Sequence, residues 1–210
     1  MGGFTLIELL VAITILAIVA VLGWRGLDSI VRSRVSLTQQ MDDNRNSQLT
    51  FAQLQSDLEQ LAGTDIVGAR RNLTADNLRL VFVRTVAPEA SATQLVVVSY
   101  RVRDGVLTRR ESAGTRDLAQ LDALWQAALS DADPVRGVAL QSRVTGMAVR
   151  LWQDNAWQVP DNTANPANAA NPANPANPAA SGRAPTGLEL SLQLQDEPNP
   201  MVKVMLLGEN

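Results

Sequence analysis

Glu8 is the residue of this chain whose setting most demands an explanation. It is the one charge in a run from 4 to 24 that is otherwise apolar apart from Thr5 and Thr14. As a helix that run is about 31 Å long, enough to cross the hydrocarbon core of a bilayer. A carboxylate inside such a segment costs at least ~2.5 kcal/mol to insert, so a functional role is its default reading. The chemistry open to it is pairing with a cation in a low-dielectric bundle, where the attraction is large and sensitive to register. The plainer alternative is that Glu8, near the start of the run, snorkels to the headgroups. Thr5 and Thr14 can bond back to helix carbonyls and need no special role.

Other chemistries find little support. The chain has neither cysteine nor histidine. Thiol nucleophiles, thiolate metal sites and imidazole acid–base catalysis are thereby excluded. No nucleophile elbow or phosphate-cradling loop occurs. Asp131 with Asp133, and Asp196 with Glu197, are acid pairs in turns, whereas calcium takes six to eight oxygen ligands. No metal and no cofactor is assigned. A net charge of −3 gives no basic footprint for nucleic acid. The reading is non-enzymatic. A membrane-anchored enzyme is the rival from another class, and a deep pocket with convergent polar groups would be its mark.

The elements around these residues follow from periodicity. Beyond Trp24 the chain turns polar but keeps a helical pattern, with Leu27, Ile30, Val31, Val35 and Leu37 as an uneven apolar stripe. Those five either meet a partner helix or cover the chain's own sheet, and Val35 and Leu37 are the leading candidates for a partner contact. Residues 42–48 contain no apolar side chain and are expected to be solvated. Phe51, Leu54, Leu58 and Leu61 then recur at spacings of three and four, a core-facing stripe. One helix is therefore expected over about 4–62, stopped by Gly63, with a bend invited at Gly23 and Gly26. The assignment is 4–24 as the membrane span, 25–62 as its continuation and 63–210 as a strand-rich head.

In that head, 78–83, 94–102 and 106–110 read as strands, the last two joined by an Asp104-Gly105 hairpin turn. Helical spacing returns over 117–129. A second hairpin turns at Asp154-Asn155, between 146–152 and 157–159. Strict alternation of Leu188, Leu190, Leu192 and Leu194 with polar residues implies a sheet with one buried face. Residues 201–207 close it. Between the hairpin and the alternating strand, 162–185 is built of Asn-Pro-Ala repeats. Proline there removes amide donors, and little apolar bulk offsets chain entropy, so a disordered, tolerated insertion is expected.

The opening Gly3-Phe4-Thr5-Leu6-Ile7-Glu8-Leu9 resembles the class III signal of type IV pilin-like proteins. Cut site, aromatic start and buried Glu stand in register. The resemblance implies cleavage after Gly3 by a prepilin peptidase, with 1–3 as leader, N-methylation of Phe4, and Glu8 as the assembly residue, pairing with a neighbour's methylated amine. Together with Trp24-Arg25-Gly26-Leu27-Asp28 and Leu54-Gln55-Ser56-Asp57-Leu58-Glu59-Gln60-Leu61, this start resembles the J family of minor pseudopilins of the type II secretion system. Length and the retained Glu8 fit J better than the shorter major pseudopilin G or the larger K, which lacks the Glu.

That resemblance implies an α+β fold with a long N-terminal helix packed on two antiparallel sheets. It also implies a structural role near the tip of a short periplasmic filament, in the inner membrane of a Gram-negative bacterium. The implied partners are pseudopilins I and K, with H and the major pseudopilin G as further neighbours. A minor pilin of a type IV pilus or DNA-uptake machine is the rival within the same class.

One feature departs from the pattern. Arg25, Arg32 and Arg34 follow the span while Met1-Gly2-Gly3 carries no cation. Charge bias alone would place the far side of the span in the cytoplasm. Leaders of this class carry basic residues, so translation is expected to start upstream of Met1. The register of the cut site with Glu8 makes a direct prediction: assembled protein begins at N-methylated Phe4. Mass spectrometry of the N-terminus checks it, and a bulky residue in place of Gly3 should leave the precursor uncut in the membrane.

Overall fold

The structure, a computed structural model, describes residues 5–68, 70–87, 92–130, 136–160 and 184–208. The leader, Phe4, the Asp131/Asp133 pair and all of the Asn-Pro-Ala segment except Ala184 and Pro185 lie outside the described residues. The chain divides into two compact units, Met1–Arg45 and Asn46–Asn210.

The first unit is helix. Helix α1 runs over Leu6–Glu59. It is continuous through Gly23 and Gly26, where a bend was expected. A glycine removes only about 1 kcal/mol of helix preference, too little against the flanking Leu, Val and Ile. Its N-terminal part holds a stretch long and apolar enough to cross a membrane, with a mean hydropathy of 2.8 over the best window. Residues 5–42 are all exposed.

The second unit begins with the last turns of α1. Leu54 and Leu58 are fully buried and Phe51 packs beside them, as the spacing of the stripe requires. The helix ends at Glu59, short of Gly63. The cause is pairing with a strand: the Ala62 amide donates to the Val83 carbonyl at 2.9 Å, and the Thr85 amide donates to Gln60 at 2.9 Å. Gly63 instead precedes a short helix, α2 (Thr64–Val67). The expectation that 42–48 is solvated fails in part. Asp43 and Ser47 are buried, and the Ser47 hydroxyl lies 3.2 Å from Gln141 Oε1. Ser47 is buried without apolar bulk because a polar partner satisfies it.

Five strands form an antiparallel sheet in chain order: β1 (Leu73–Ala75), β2 (Arg79–Val86), β3 (Gln94–Arg103), β4 (Val106–Glu111) and β5 (Val138–Gln141). Between β4 and β5 lies helix α3 (Leu118–Ser130). Strands β2 and β3 are buried on both faces, so their central residues are apolar without alternation. Leu80, Phe82, Val96, Val98 and Tyr100 enter the main core with Leu54 and Leu58. Val81, Val83, Leu95 and Val97 enter a second core with Leu121 and Ala128 of α3. The hairpin between β3 and β4 turns at Asp104 and Gly105, with φ of 51° and 74°, the left-handed pair that a tight two-residue turn needs.

A second antiparallel sheet has the order β7-β6-β8-β9. Its strands are β6 (Val144–Gln153), β7 (Ala156–Gln158), β8 (Gly187–Leu194) and β9 (Met201–Leu206). Here the alternation is real: Leu188, Leu190, Leu192 and Leu194 are buried in the main core opposite Met147 and Val149. The outer face carries an Arg150–Glu189 pair and the edge-on ring pair Trp152–Trp157. The main core is thus filled by the two sheets and the end of α1. At Gly208 a Cβ would stand 2.8 Å from the Glu59 carbonyl, an approach open only to glycine.

The fully buried leucine of the last helical turn gives a test of this packing. Leu58→Ala should lower the unfolding free energy of the head by about 2–5 kcal/mol, the cost of a core cavity. Urea titration followed by tryptophan fluorescence reads the change.

Candidate functional site

At the start of α1 the backbone leaves amide donors with no partner inside the helix. Thr5 and Glu8 supply them. The Thr5 amide donates to Glu8 Oε2 at 3.0 Å, the Thr5 hydroxyl donates to the same oxygen at 2.8 Å, and the Glu8 amide donates to Thr5 Oγ1 at 3.4 Å. This is a capping box, with Thr5 at the N-cap and Glu8 three residues on. Thr14 does bond back to a carbonyl, that of Leu10, at 2.8 Å. Thr5 does not: its hydroxyl serves Glu8. The sequence signal was the Thr-x-x-Glu spacing ahead of an apolar run.

Further along α1, Leu27, Ile30, Val31, Val35 and Leu37 are 57%, 67%, 52%, 65% and 59% exposed. They are not brought together with Glu8, which lies several turns earlier on the same helix.

The polar centre of the head was not foreseen. Asp57 sits beside the Leu54–Leu58 stripe and is only 1% exposed. It accepts from Tyr100 Oη at 2.6 Å, from Arg109 Nε at 2.6 Å and Nη2 at 2.9 Å, and from Gln53 Nε2 at 3.1 Å. Arg84 Nε stands 3.6 Å away. Arg84 and Arg109 both donate to Glu111 Oε2, at 2.9 Å and 2.6 Å, and Arg84 also reaches Gln60 Oε1 at 2.6 Å. Helix α1 and strands β2, β3 and β4 thus meet at one carboxylate. Losing one partner of such a buried pair costs about 3–5 kcal/mol, since the other is left uncompensated. Burial, then the Asp57 charge, push the Tyr100 hydroxyl well above its usual range. Burial pulls the Arg109 guanidinium down, but its bonds to Asp57 and Glu111 outweigh this and the net shift is upward.

This network has the composition of a structural joint. Its acids are engaged by arginines. A cavity of about 300 Å³ lined by Ala62, Thr64, Asn72, Thr186 and Leu207 among others has no acid or base in its wall. Among the described residues no group of three potential metal ligands occurs. Asp196, one of the acids read as a turn pair, is engaged by Arg143.

Comparison with known families places these features. The model of the prokaryotic N-terminal methylation motif matches residues 1–24, the stretch that holds the capping box and the apolar run. Helix α1 and the two-sheet α+β head that follows it define a pilin-like protein of the prepilin class. The model of type II secretion system (T2SS), protein J, matches residues 25–206, and the chain belongs to that family. It is a minor pseudopilin, from a structural family and not an enzyme family. No curated protein matches the chain.

The Asp57 joint contains the only tyrosine of the chain, which makes its titration observable. Its ordinary pKa is 10.0, and the folded value is raised. A raised acid binds its proton more tightly folded than unfolded, so its contribution is intact below the unfolded pKa and is lost as pH rises past it. Native protein at about pH 11 should therefore show no tyrosinate absorbance. Adding urea at that pH should bring the band up together with unfolding, and Tyr100→Phe should flatten the alkaline fall in stability.

Proposed function

We propose that this chain is part of the tip complex that initiates the periplasmic pseudopilus of a type II secretion system. In this reading it is a single-pass protein of the inner membrane of a Gram-negative bacterium, with 4–24 as the span and the head in the periplasm. Prepilin peptidase removes residues 1–3 after Gly3, and Phe4 is N-methylated. Glu8 pairs with the methylated amine of a neighbouring subunit. Leu27, Ile30, Val31, Val35 and Leu37 form part of the contact with pseudopilins I and K, with H and the major pseudopilin G as further neighbours. The filament so started supports export of folded proteins across the outer membrane.

The observation that carries the reading is the join of two family matches on one helix: a methylation motif over 1–24 and protein J from 25 onward. The capping box adds physical support. It keeps a carboxylate satisfied at the N-terminal end of an apolar helix, where that group would otherwise be costly. The pilus and DNA-uptake alternatives have no comparable support from the matched family.

Glu8→Ala tests the assembly role. Full-length protein with this change should still reach the membrane but enter the tip complex poorly, with secretion reduced. Crosslinking in cells and an exoprotein secretion assay measure the two effects. A fragment starting at residue 32 lacks Glu8 altogether, and calorimetry should still show it binding the heads of I and K. Normal secretion with Glu8→Ala would discredit the Glu8 role, and a fragment that binds neither head would discredit the partner assignment.

A further inference from the structure

The exposed stretch 27–41 of α1 has two unlike sides. At about 100° per residue, Leu27, Ile30, Val31, Val35, Leu37 and Met41 fall within an arc about 160° wide. Ser29, Ser33, Ser36 and Gln40 lie opposite. The apolar side chains on the arc are 52–72% exposed. Arg34 falls on the centre line of that arc, in phase with Leu27 and Thr38. The nearby Arg32 is engaged by Asp28 at 2.5 Å, whereas Arg34 has no ion pair among the described residues.

A cation in the middle of an apolar face restricts what can cover it. An apolar cover would strand a buried charge. Lipid is a poor candidate by distance. Arg34 lies ten residues past Trp24, about 15 Å of helix, while the headgroup zone adds only about 5–8 Å to each side of the hydrocarbon core. A second copy of this chain in parallel register is also disfavoured. Arg34 and Arg45 share the centre line, so two copies in register would set like charge against like.

Resting on the filament reading above, we propose that this arc seats one helix of a different chain of the filament, and that this helix bears an Asp or Glu that pairs with Arg34. The apolar side chains supply contact area. Arg34 supplies the axial register, since a bidentate arginine–carboxylate pair tolerates little sliding.

The test uses full-length protein in cells that make the whole secretion system. A photo-crosslinking residue replaces Val31, and a second, separate variant carries it at Val11 within the span. The expected product at position 31 is a helical peptide of another prepilin-like chain with an Asp or Glu within one turn of the crosslink. Arg34→Glu should cut that yield by about tenfold or more, because like charges across an interface repel. Arg34→Lys should keep most of it, and changing the partner's acid to Arg should rescue Arg34→Glu. Arg34 is exposed and outside the core, so membrane recovery of the variants should match wild type.

Crosslinks from position 31 to lipid, to a second copy or to a helix without an acid would overturn the proposal, as would a yield indifferent to Arg34→Glu. If position 11 captures a neighbour and position 31 does not, only this inference falls. If neither does, the filament reading falls with it.

Discussion

A carboxylate withdrawn from water must be met by donors on every side, and the head is laid out around that requirement at Asp57. The donors come from far apart in the chain: Gln53 on the same helix, Tyr100 on β3 and Arg109 on β4. Hydrophobic contact alone would hold the Leu54–Leu58 stripe on the sheet but would let it slide, because apolar packing is non-directional. The fork of Arg109 on both oxygens of Asp57 fixes where along the strands the helix sits. Arg84 and Glu111 extend the same pattern, so that both arginines are themselves neutralised.

The two sheets answer different demands. Strands β2 and β3 separate two cores, one shared with α1 and the second sheet, the other with α3. Their unbroken apolar runs are what burial on both faces looks like in sequence. The β6–β9 sheet has one core face. Its outer face tolerates charge, as the Arg150–Glu189 pair shows, and also exposed apolar residues on the edge strand at Val202, Val204 and Leu206. The Asn-Pro-Ala segment is inserted between β7 and β8, the two strands that flank β6 in this sheet.

What could be read from sequence was whatever is encoded locally. The Asp104-Gly105 and Asp154-Asn155 turns, the alternation of β8 and the helical spacing of α3 each depend on neighbours within a few residues, and each stands where expected. The short elements α2, β1 and β5 escaped because three or four residues carry no usable period; β1 and β5 exist through their pairing with β2 and β4. Ser47 escaped because a polar residue reads as solvated unless its partner is known, and Gln141 is 94 residues away. Asp57 escaped for the same reason. One clue was present: a carboxylate directly preceding a core leucine, with several arginines at strand positions still lacking counter-charges. A role for Glu8 is an expectation from the cost of a charge in an apolar run; its bonds to Thr5 are visible only in the structure.

In the assembly role proposed for Glu8, those bonds would change how it takes part. A carboxylate arriving bare at a neighbour's amine would gain the full strength of a charge-assisted contact. Glu8 instead already holds the Thr5 amide and hydroxyl. Joining a neighbour is then an exchange of ligands, and only the difference between old and new partners drives it. In that proposed filament, a subunit that left would fall back onto its own threonine and not be stranded in the bilayer with an unpaired charge. Joining and leaving would then both turn on small differences in free energy.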